Sequence, residues 1–294
     1  MVDKKKTILI VDDTEINIDI LLDLLGDDYD VSVALDGENA LEIANEEPLD
    51  LILLDIMMPK MDGYEVCRLL KTNDNTKDIP VIFITAKTDE DSIETAYEVG
   101  GVDYVTKPFK PRELIARVKT QLNMKLLIEN LEFIASHDQM TGIYNRRKFF
   151  ELAEKKFLQK QDNLYVAMMD IDKFKLINDT YGHPTGDVVI KAITKTISGF
   201  IESESIFGRL GGEEFAIMCN HESLEDTLKN IERIRSMVER CEVIAENKEI
   251  IKCTISTGCT KMTKETLNLD SLVKEADLAL YEAKGSGRNK SIFR

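Results

Sequence analysis

The chain has 294 residues, enough for two domains of ordinary size, and its content of 43% hydrophobic and 31% charged residues is typical of soluble globular domains. A formal net charge of −16 argues against a general binder of nucleic acid or of anionic membranes, because phosphate groups require an excess of Lys and Arg. The five cysteines include no CxxC pair, which favours reduced, buried thiols in a cytoplasmic protein.

Short apolar runs alternate with amphipathic helical stretches from residue 7 to about residue 120. The first run, 7–11, is too short for a signal sequence or a membrane span, and no later window approaches one, so we expect no association with a membrane. The alternation predicts a doubly wound, five-stranded parallel sheet with helices on both faces. The predicted strands are 8–11, 31–34, 51–54, 81–84 and 102–105.

Polar side chains follow the carboxyl ends of these strands, where ligands of parallel α/β sheets bind. They are Asp12, Asp13, Asp55, Thr85 and Lys107. The three carboxylates suit Mg²⁺, and Asp55 can attack phosphorus as a carboxylate nucleophile to form an acyl phosphate. Thr85 can donate a hydrogen bond to a phosphoryl oxygen, and Lys107 can pair with the carboxylate or the phosphoryl group. The bond between Lys107 and Pro108 is a candidate cis peptide.

This constellation resembles the receiver domain of two-component response regulators over about residues 5–121. The resemblance implies that a sensor histidine kinase or a phosphotransfer protein phosphorylates Asp55. It also implies that the backbone carbonyl of Met57 joins the three carboxylates around Mg²⁺, or Mn²⁺ in its place. The residues that the resemblance assigns to the phosphorylation switch are Thr85, Tyr104 and Lys107.

A long helix is predicted to begin at Pro111, since no helix-breaking residue follows before Gly142. Its first apolar residues are spaced by four, whereas the later ones have the 3-4-3 spacing of a coiled-coil seam. The later seam residues are Met124, Leu127, Leu131 and Ile134. The change of phase around 122–124 is a register discontinuity, which alters supercoiling locally. We expect a parallel homodimeric stalk; the alternative is that the stripe packs on a neighbouring domain.

Two acidic clusters mark the C-terminal half. An apolar run, 166–169, leads into Asp170, and strand alternation predicts that Asp172 points the same way. The run Arg209-Leu-Gly-Gly-Glu-Glu-Phe215 predicts a β-hairpin whose glycines allow a tight turn and close approach to a ligand. Carboxylates, backbone oxygens and substrate phosphates are the ligands that Mg²⁺ prefers. Together with the phosphate-binding candidates Lys284 and Arg288, they predict a nucleoside triphosphate site with a metal.

These motifs, in order and spacing, resemble the GGDEF family of diguanylate cyclases over about residues 136–294. The segment Asp138-Gln-Met-Thr-Gly-Ile-Tyr-Asn-Arg-Arg147 resembles the start of that domain. The resemblance implies a palm-like α/β domain that joins two GTP molecules into cyclic di-GMP and releases pyrophosphate. Because one such domain binds one GTP, two must face each other, which implies a homodimer. We place the receiver domain at 1–121, a helical linker at 122–137 and the cyclase domain at 138–294.

The resemblance also assigns roles to single residues. Mg²⁺, or Mn²⁺ in its place, is bound by Asp170, the Ile171 carbonyl and Glu213, and Glu214 supports a second metal. Glu213 activates the 3′-hydroxyl group, and Lys175 stabilises charge on the pentacovalent phosphorus. The substrate-binding residues are Asn178, Asp187, Gly212, Lys284 and Arg288.

Among these residues, Lys284 and Arg288 hold the β- and γ-phosphates, while Asn178 and Asp187 read the base. A carboxylate accepts from both N1–H and the exocyclic amine of guanine, a donor pair that adenine lacks, so Asp187 favours GTP over ATP. A second role for Asp187, as the N-cap of a helix that begins at Val188, is compatible with the first.

One departure concerns product inhibition. Many family members carry an Arg-x-x-Asp site upstream of the hairpin, where cyclic di-GMP binds; Glu202 and Ser205 stand at the two positions here. Carboxylates repel an anionic product, so we expect weak or absent inhibition through this site. The leading hypothesis is a phosphorylation-activated diguanylate cyclase. The alternatives are a degenerate domain that binds GTP or a partner without turnover, and a response regulator that acts through protein contacts.

Overall fold

The computed structural model describes residues 5–86, 90–159, 163–245 and 249–294, and it divides into two compact units, Met1–Leu131 and Glu132–Arg294. Strands and helices alternate regularly in the N-terminal unit. They are β1 (Thr7–Val11), α1 (Glu15–Leu25), β2 (Asp30–Ala34), α2 (Gly37–Glu46), β3 (Leu51–Asp55), α3 (Gly63–Thr72), β4 (Val81–Thr85), α4 (Glu90–Glu98), β5 (Asp103–Thr106) and α5 (Pro111–Ser136).

The strands of the N-terminal unit form one parallel sheet in the order β2-β1-β3-β4-β5, which confirms the predicted doubly wound fold. The central strands are almost entirely apolar because helices cover both faces of a parallel sheet. One face packs on α1 and α5, and the other packs on α2, α3 and α4. The last strand begins at Asp103 and not at the predicted Val102, which is exposed, whereas Val105 is buried.

Helix α5 runs without interruption for 26 residues, as the absence of a helix breaker predicted. Leu114 and Val118, in its N-terminal half, are fully buried in the core of the first unit. The later seam residues are half to two-thirds exposed, with values of 52% for Met124 and 65% for Leu131. Among the described residues, neither α5 nor another helix has the length and apolar character needed to cross a bilayer.

The C-terminal unit is built on a six-stranded sheet in the order β13-β12-β7-β9-β8-β6. A two-stranded ribbon, β10 and β11, accompanies it. The elements are β6 (Tyr144–Asn145), α6 (Arg146–Leu158), β7 (Leu164–Ile171), α7 (Phe174–Tyr181), α8 (His183–Ser198), β8 (Ile206–Gly211), β9 (Glu214–Asn220), α9 (Leu224–Arg240), β10 (Glu242–Ile244), β11 (Ile250–Lys252), β12 (Ile255–Lys261), α10 (Leu269–Gly285) and β13 (Ser291–Phe293).

Strand β7 lies near the centre of this sheet and is antiparallel to both β9 and β12. Its side chains alternate between two cores. Tyr165 and Met169 pack on the face covered by α7, α8 and α9, while Val166 and Met168 pack on the face covered by α6 and α10. Apolar residues on both faces therefore explain why the run that leads to Asp170 is continuous.

Candidate functional sites

The carboxyl ends of β1 and β3 bring three predicted receiver carboxylates together, since these strands are neighbours in the sheet. Carboxylate oxygens of Asp12, Asp13 and Asp55 lie within 4.8 Å of one another. Asp12 and Asp55 are buried, and Asp13 is exposed. Three convergent carboxylates, one of them open to solvent, form a donor set that fits Mg²⁺.

Lys107, directly after β5, places its ammonium group between two of these carboxylates. Its Nζ donates to Asp55 Oδ2 at 2.8 Å and to Asp12 Oδ2 at 2.9 Å. Burial raises the pKa of the Asp55 carboxyl, and Asp12 adds to the rise, although Lys107 opposes it. Two like charges in a buried site are unfavourable without nearby cations, which explains the position of the lysine and makes the site suited to a metal ion.

The remaining predicted receiver residues lie on β4 and β5 or just after β3. Thr85 is buried at the end of β4, and Tyr104 is half-buried on the neighbouring strand β5. Met57 is exposed two residues beyond Asp55, and its N–H points to Asp55 Oδ1 at 3.4 Å. The peptide bond between Lys107 and Pro108 is cis.

Two residues that sequence reasoning did not single out hold the receiver carboxylates in place. Asn17 Nδ2 donates to Asp12 Oδ1 at 2.9 Å, on the carboxylate oxygen that does not contact the lysine. A Cβ built on Gly63 would lie 2.2 Å from the carbonyl oxygen of Asp55, so glycine is required where α3 begins. In the sequence, Asp62-Gly63 looks like an ordinary turn, and nothing local marks its approach to the strand.

The predicted hairpin is formed by β8 and β9, with Gly211 paired to Glu214 and Gly212-Glu213 as the turn. Gly212 has a φ of +49°, a left-handed conformation that favours glycine. Chain neighbours aside, no atom of the described residues lies within 4 Å of a Cβ built on Gly211 or Gly212. The glycines here therefore serve the backbone conformation of the turn and not close packing.

Strand β7 carries Asp170 to this turn. Asp170 is paired with Glu214 in the sheet, and the Ile171 N–H donates to the Glu213 carbonyl oxygen at 3.3 Å. Lys284, near the end of α10, places Nζ 2.7 Å from Asp170 Oδ2. Burial raises the pKa of the Asp170 carboxyl, and Glu213 and Glu214 raise it further, although Lys284 opposes the rise.

This set of three acids and backbone oxygens is chemically suited to Mg²⁺, because each member is a hard oxygen donor. It is less tightly assembled than the receiver site: the receiver carboxylates are the one group of three or more acidic, His or Cys ligands that converges within 4.8 Å in the described part of the chain.

The two remaining phosphate-site candidates lie on segments that border Asp170. Lys175 is exposed in the first turn of α7, which begins three residues after β7 ends. Arg288 is exposed in the loop after α10, with a φ of +65°. Both cations are accessible to an anionic ligand.

Asn178 and Asp187 come from the consecutive helices α7 and α8. Asn178 Oδ1 is buried and has no hydrogen-bond partner among the described residues. A Cβ built on Gly186 would lie 1.9 Å from this oxygen, so glycine leaves the room that the amide occupies. An orphaned buried acceptor indicates a partner that the protein itself does not supply. Asp187 is exposed in the same helix as Gly186.

The expectation that Asp187 also caps a helix is wrong. Helix α8 begins at His183, its N-cap is Gly182, and Pro184 lies in its first turn. Asp187 is therefore inside the helix, where its carboxylate cannot occupy the N-cap position. The early start has a physical reason, because proline is pre-organised for the first turn and lacks the N–H that would remain unpaired there.

The expectation for Asp172 is also wrong. Strand alternation predicted that Asp172 points the same way as Asp170, but β7 ends at Ile171 and the alternation ends with it. The Asp172 carboxylate instead accepts hydrogen bonds from Thr254 Oγ1 at 2.7 Å, from Ser256 Oγ at 2.6 Å and from the Asn289 N–H at 2.9 Å. Its oxygens are thus used within the protein.

Arg209 connects the hairpin to the segment that opens the domain, a role that sequence reasoning missed. Its Nη1 lies 3.1 Å and 3.2 Å from the two carboxylate oxygens of Asp138, and its Nε donates to the Gly212 carbonyl oxygen at 2.9 Å. Each residue lies in a motif of the GGDEF resemblance, but their separation of 71 residues hides the pairing from a single sequence.

Comparison with known proteins identifies the family of each domain. Residues 135–290 match the family described as diguanylate cyclase, GGDEF domain, and residues 8–119 match the response regulator receiver domain. The chain therefore belongs to the GGDEF-domain family and carries a response regulator receiver domain ahead of its GGDEF domain.

One relative matches this chain over almost its whole length. The response regulator PleD of Caulobacter vibrioides is 33% identical over 97% of this chain, which spans 65% of the length of PleD. Diguanylate cyclase A of Treponema denticola is 29% identical over 92% of this chain and 75% of its own length.

Among solved structures, the coiled coil and GGDEF domain of DgcB from Caulobacter crescentus, in complex with c-di-GMP, is similar to this chain. It has a TM-score of 0.58 at 26% identity and covers 62% of this chain and 98% of that one.

Proposed function

We propose that this protein is a phosphorylation-regulated diguanylate cyclase, which condenses two GTP molecules into cyclic di-GMP and pyrophosphate in a two-component pathway. The observation that carries the proposal is the placement of Asp170 beside the Gly212-Glu213 turn, with the Lys284 ammonium group at 2.7 Å, in a domain of the GGDEF family. Acids, a cation and an open backbone turn at one sheet edge suit phosphoryl transfer, which depends on positioning and electrostatics.

In the GGDEF domain, Asp170, the Ile171 carbonyl and Glu213 would hold Mg²⁺ or Mn²⁺, with Glu214 beside a second ion. The raised pKa of the Asp170 carboxyl, caused by burial and the adjacent Glu213 and Glu214, supports this, because such a cluster favours a cation. When bound, the metal neutralises charge on the triphosphate and favours ionisation of the attacking hydroxyl group.

The side chains and backbone of the protein would supply proton transfer, phosphate binding and charge stabilisation. Glu213 accepts the proton of the 3′-hydroxyl group, whose oxygen forms a bond to the α-phosphorus of the partner GTP while pyrophosphate leaves. Lys284 and Arg288 bind the β- and γ-phosphates, and Lys175 stabilises the charge that develops on the transferring phosphorus. Gly212 lets the backbone of the turn approach the substrate without a side chain in the way.

Recognition of guanine would rest on Asn178 and Asp187. The orphaned Asn178 Oδ1 supplies a buried acceptor, and the exposed Asp187 carboxylate accepts from N1–H and the exocyclic amine. Adenine offers no such donor pair and would leave both acceptors unpaired, which is an effective way to reject a substrate.

In the receiver domain, Asp55 would accept the phosphoryl group from a histidine kinase or a phosphotransfer protein. Asp12, Asp13, Asp55 and the Met57 carbonyl would hold Mg²⁺, whose charge shields the attacking carboxylate from the phosphoryl oxygens. Lys107 already contacts Asp55, so it is placed to pair with the added phosphoryl charge. Thr85 and Tyr104 would respond to the phosphorylation of Asp55 as the switch residues.

Dimerisation completes the proposal, because each GTP must meet a second one. The exposed seam of α5, from Met124 to Ile134, supports pairing through a helical stalk. The domain boundaries that fit this function are 1–121, 122–137 and 138–294. We place the activity in the cytoplasm, where GTP and histidine kinases meet the protein.

Product control at the upstream site is proposed to be weak. Glu202 and Ser205 stand where inhibited relatives carry Arg and Asp, and the Glu202 carboxylate lies 3.5 Å from His221 Nε2. Turnover should change little when cyclic di-GMP is added at low micromolar concentration. Strong non-competitive inhibition under those conditions would contradict the proposal.

The central experiment measures cyclic di-GMP formation from GTP and Mg²⁺, with and without beryllofluoride, while light scattering follows the oligomeric state. We expect product that rises on modification of Asp55, and we expect Asp55→Asn to remove the response but not the basal rate. Asp170→Asn should abolish product in a folded protein. A folded wild type that binds GTP without turnover would favour a degenerate, non-catalytic domain and refute the cyclase.

A further inference from the structure

Asp172 is a buried carboxylate whose hydrogen bonds are all supplied from other segments of the chain. It is 7% exposed. Thr254 Oγ1 and the Asn289 N–H donate to Oδ2, and Ser256 Oγ donates to Oδ1. Its own N–H donates to the Thr254 carbonyl oxygen at 2.9 Å, so two main-chain segments are joined at this residue.

No ion pair is formed by Asp172 within the described part of the chain. A buried carboxylate is costly unless hydrogen bonds or a cation compensate it. Here the compensation consists of three hydrogen bonds, and satisfied networks of this kind in a low-dielectric site are rigid. Asp172 therefore holds the end of β7 and the start of β12 together in a fixed arrangement.

The third donor, the Asn289 N–H, links Asp172 to the loop that carries Arg288. Asn289 has a φ of +47° and Arg288 a φ of +65°, two consecutive left-handed residues that need outside contacts to persist. The Asn289 side chain supplies further contacts, because its Nδ2 donates to Glu239 Oε1 at 2.8 Å and its Oδ1 accepts from Arg235.

We infer that Asp172 is a positioning residue, which fixes loop 286–290 and hence Arg288 for the triphosphate, and that it does not ligate the metal. The inference rests on the proposed function, since it assigns loop 286–290 to the substrate. The inference gives different roles to two acids that are only two residues apart. Asp170 acts through its charge, whereas Asp172 acts through its hydrogen-bonding pattern.

The two roles respond differently to an amide. In Asp172→Asn, Oδ1 can accept from Thr254 Oγ1 and the Asn289 N–H. The amide Nδ2 can donate to Ser256 Oγ, because a hydroxyl group both donates and accepts. The hydrogen bonds survive without the charge. In Asp170→Asn the charge that a divalent cation requires is lost, and no rearrangement of hydrogen bonds replaces it.

The experiment compares the full-length variants Asp172→Ala, Asp172→Asn and Asp170→Asn with the wild type. Hydrogen exchange of the 286–290 amides is measured without ligand, and kcat and KM for GTP are measured over a Mg²⁺ titration. For Asp172→Ala we expect exchange of the Asn289 amide to be roughly tenfold faster, and KM for GTP to rise by a similar factor with a smaller change in kcat. Asp172→Asn should restore both values to within about twofold of wild type, with an unchanged Mg²⁺ dependence.

Asp172→Asn that loses turnover with an altered Mg²⁺ dependence, as Asp170→Asn does, would overturn the inference and make Asp172 a metal ligand. Unchanged exchange of loop 286–290 in Asp172→Ala would also overturn it. If Asp172→Ala does not fold, Thr254→Val and Ser256→Ala remove single donors, and Thr254→Val should produce the larger KM rise because Thr254 shares Oδ2 with Asn289. Failure of the cyclase proposal would appear as an inactive wild type, and the exchange measurement would still decide the role of Asp172.

Discussion

The link between Arg209 and Asp138 is expected to hold the Gly212-Glu213 turn of the proposed active site, so Asp138→Asn should lower GTP turnover. Arg209 contacts both Asp138 oxygens and the Gly212 carbonyl oxygen, and thereby joins the domain opening to the hairpin tip. The amide keeps the shape of the aspartate and an acceptor for the Thr141 N–H and Oγ1, which donate to Asp138 Oδ1 at 3.0 Å and 2.7 Å. It removes the charge that Arg209 faces.

The size of the effect follows from burial. The Arg209 side chain is 11% exposed and that of Asp138 is 25% exposed, so solvent screens this pair less than a surface pair. Exposed ion pairs contribute about 0–1 kcal/mol, and hydrogen bonds to charged groups contribute roughly 1.5–3 kcal/mol. We take about 2 kcal/mol for the interaction free energy that Asp138→Asn loses. If this loss destabilises only the ordered form of the turn, it corresponds to roughly a 30-fold fall in kcat/KM.

The assay is kcat/KM for GTP with the receiver held active by beryllofluoride, together with hydrogen exchange of residues 209–214. Glu151→Gln is the matched control, because it breaks exposed pairs with Lys148 and Lys155 on α6 and should change either value by about twofold or less. If Asp138→Asn has no larger effect than this control on turnover and exchange, Arg209 does not hold the turn.

The same pair has a predictable pH dependence. Burial acts to raise the pKa of the Asp138 carboxyl, but hydrogen bonds from Thr141 and Arg209 outweigh it and lower the pKa below the ordinary value of 3.8. A lowered folded-state pKa stabilises the protein above the ordinary value, and that contribution is lost as the pH falls through the folded value. The stability gap between wild type and Asp138→Asn, measured by urea unfolding, should therefore be constant between about pH 5 and pH 8.

Three further predictions test other parts of the molecule. Asp187→Asn should reduce the preference of kcat/KM for GTP over ATP by roughly tenfold or more, because the amide presents a donor where guanine also has donors; an unchanged ratio would remove Asp187 from base recognition. Gly212→Ala places a Cβ at a φ of +49°, which costs about 1–2 kcal/mol, so turnover should fall by roughly tenfold, while Gly199→Ala at a φ of −71° should not alter it. Equal effects of the two alanines on turnover would contradict the conformational argument. Burial raises the pKa of Cys67 to about 11 and that of Cys253 to about 12, so iodoacetamide at pH 8 should label both much faster after unfolding in urea; rapid labelling of the native protein, followed by mass spectrometry, would show that they are accessible.

Much of both sites could be predicted from the sequence because strand ends and turns leave local signals. Asp12 and Asp55 follow continuous apolar runs, and parallel strands place such ends on one edge of the sheet. Gly211 and Gly212 precede two acids and then an apolar run, which is the pattern of a hairpin tip. The coiled-coil spacing and the absence of breakers similarly predicted the continuous helix from Pro111.

Asp172 and Asp187 show where reasoning from a single sequence failed. Strand alternation applies only while the strand continues, and a turn after Ile171 sends Asp172 to partners 82, 84 and 117 residues away. Such long-range pairs have no local signature. For Asp187 a signal was present, because Pro184 marks the first turn of a helix and places Asp187 inside it.

The open space around the Gly211-Gly212 turn would make protein concentration a variable in the proposed reaction. Chain neighbours aside, no described atom lies within 4 Å of the position that a Cβ would take on either glycine, so the turn is open on that side. In the proposed reaction a second copy would supply the facing site, and its association follows mass action. Below the dissociation constant of the dimer, output should grow with the square of the amount of protein, and above it in direct proportion. The abundance of this protein would then set a threshold for the signal, in addition to the phosphorylation of its receiver.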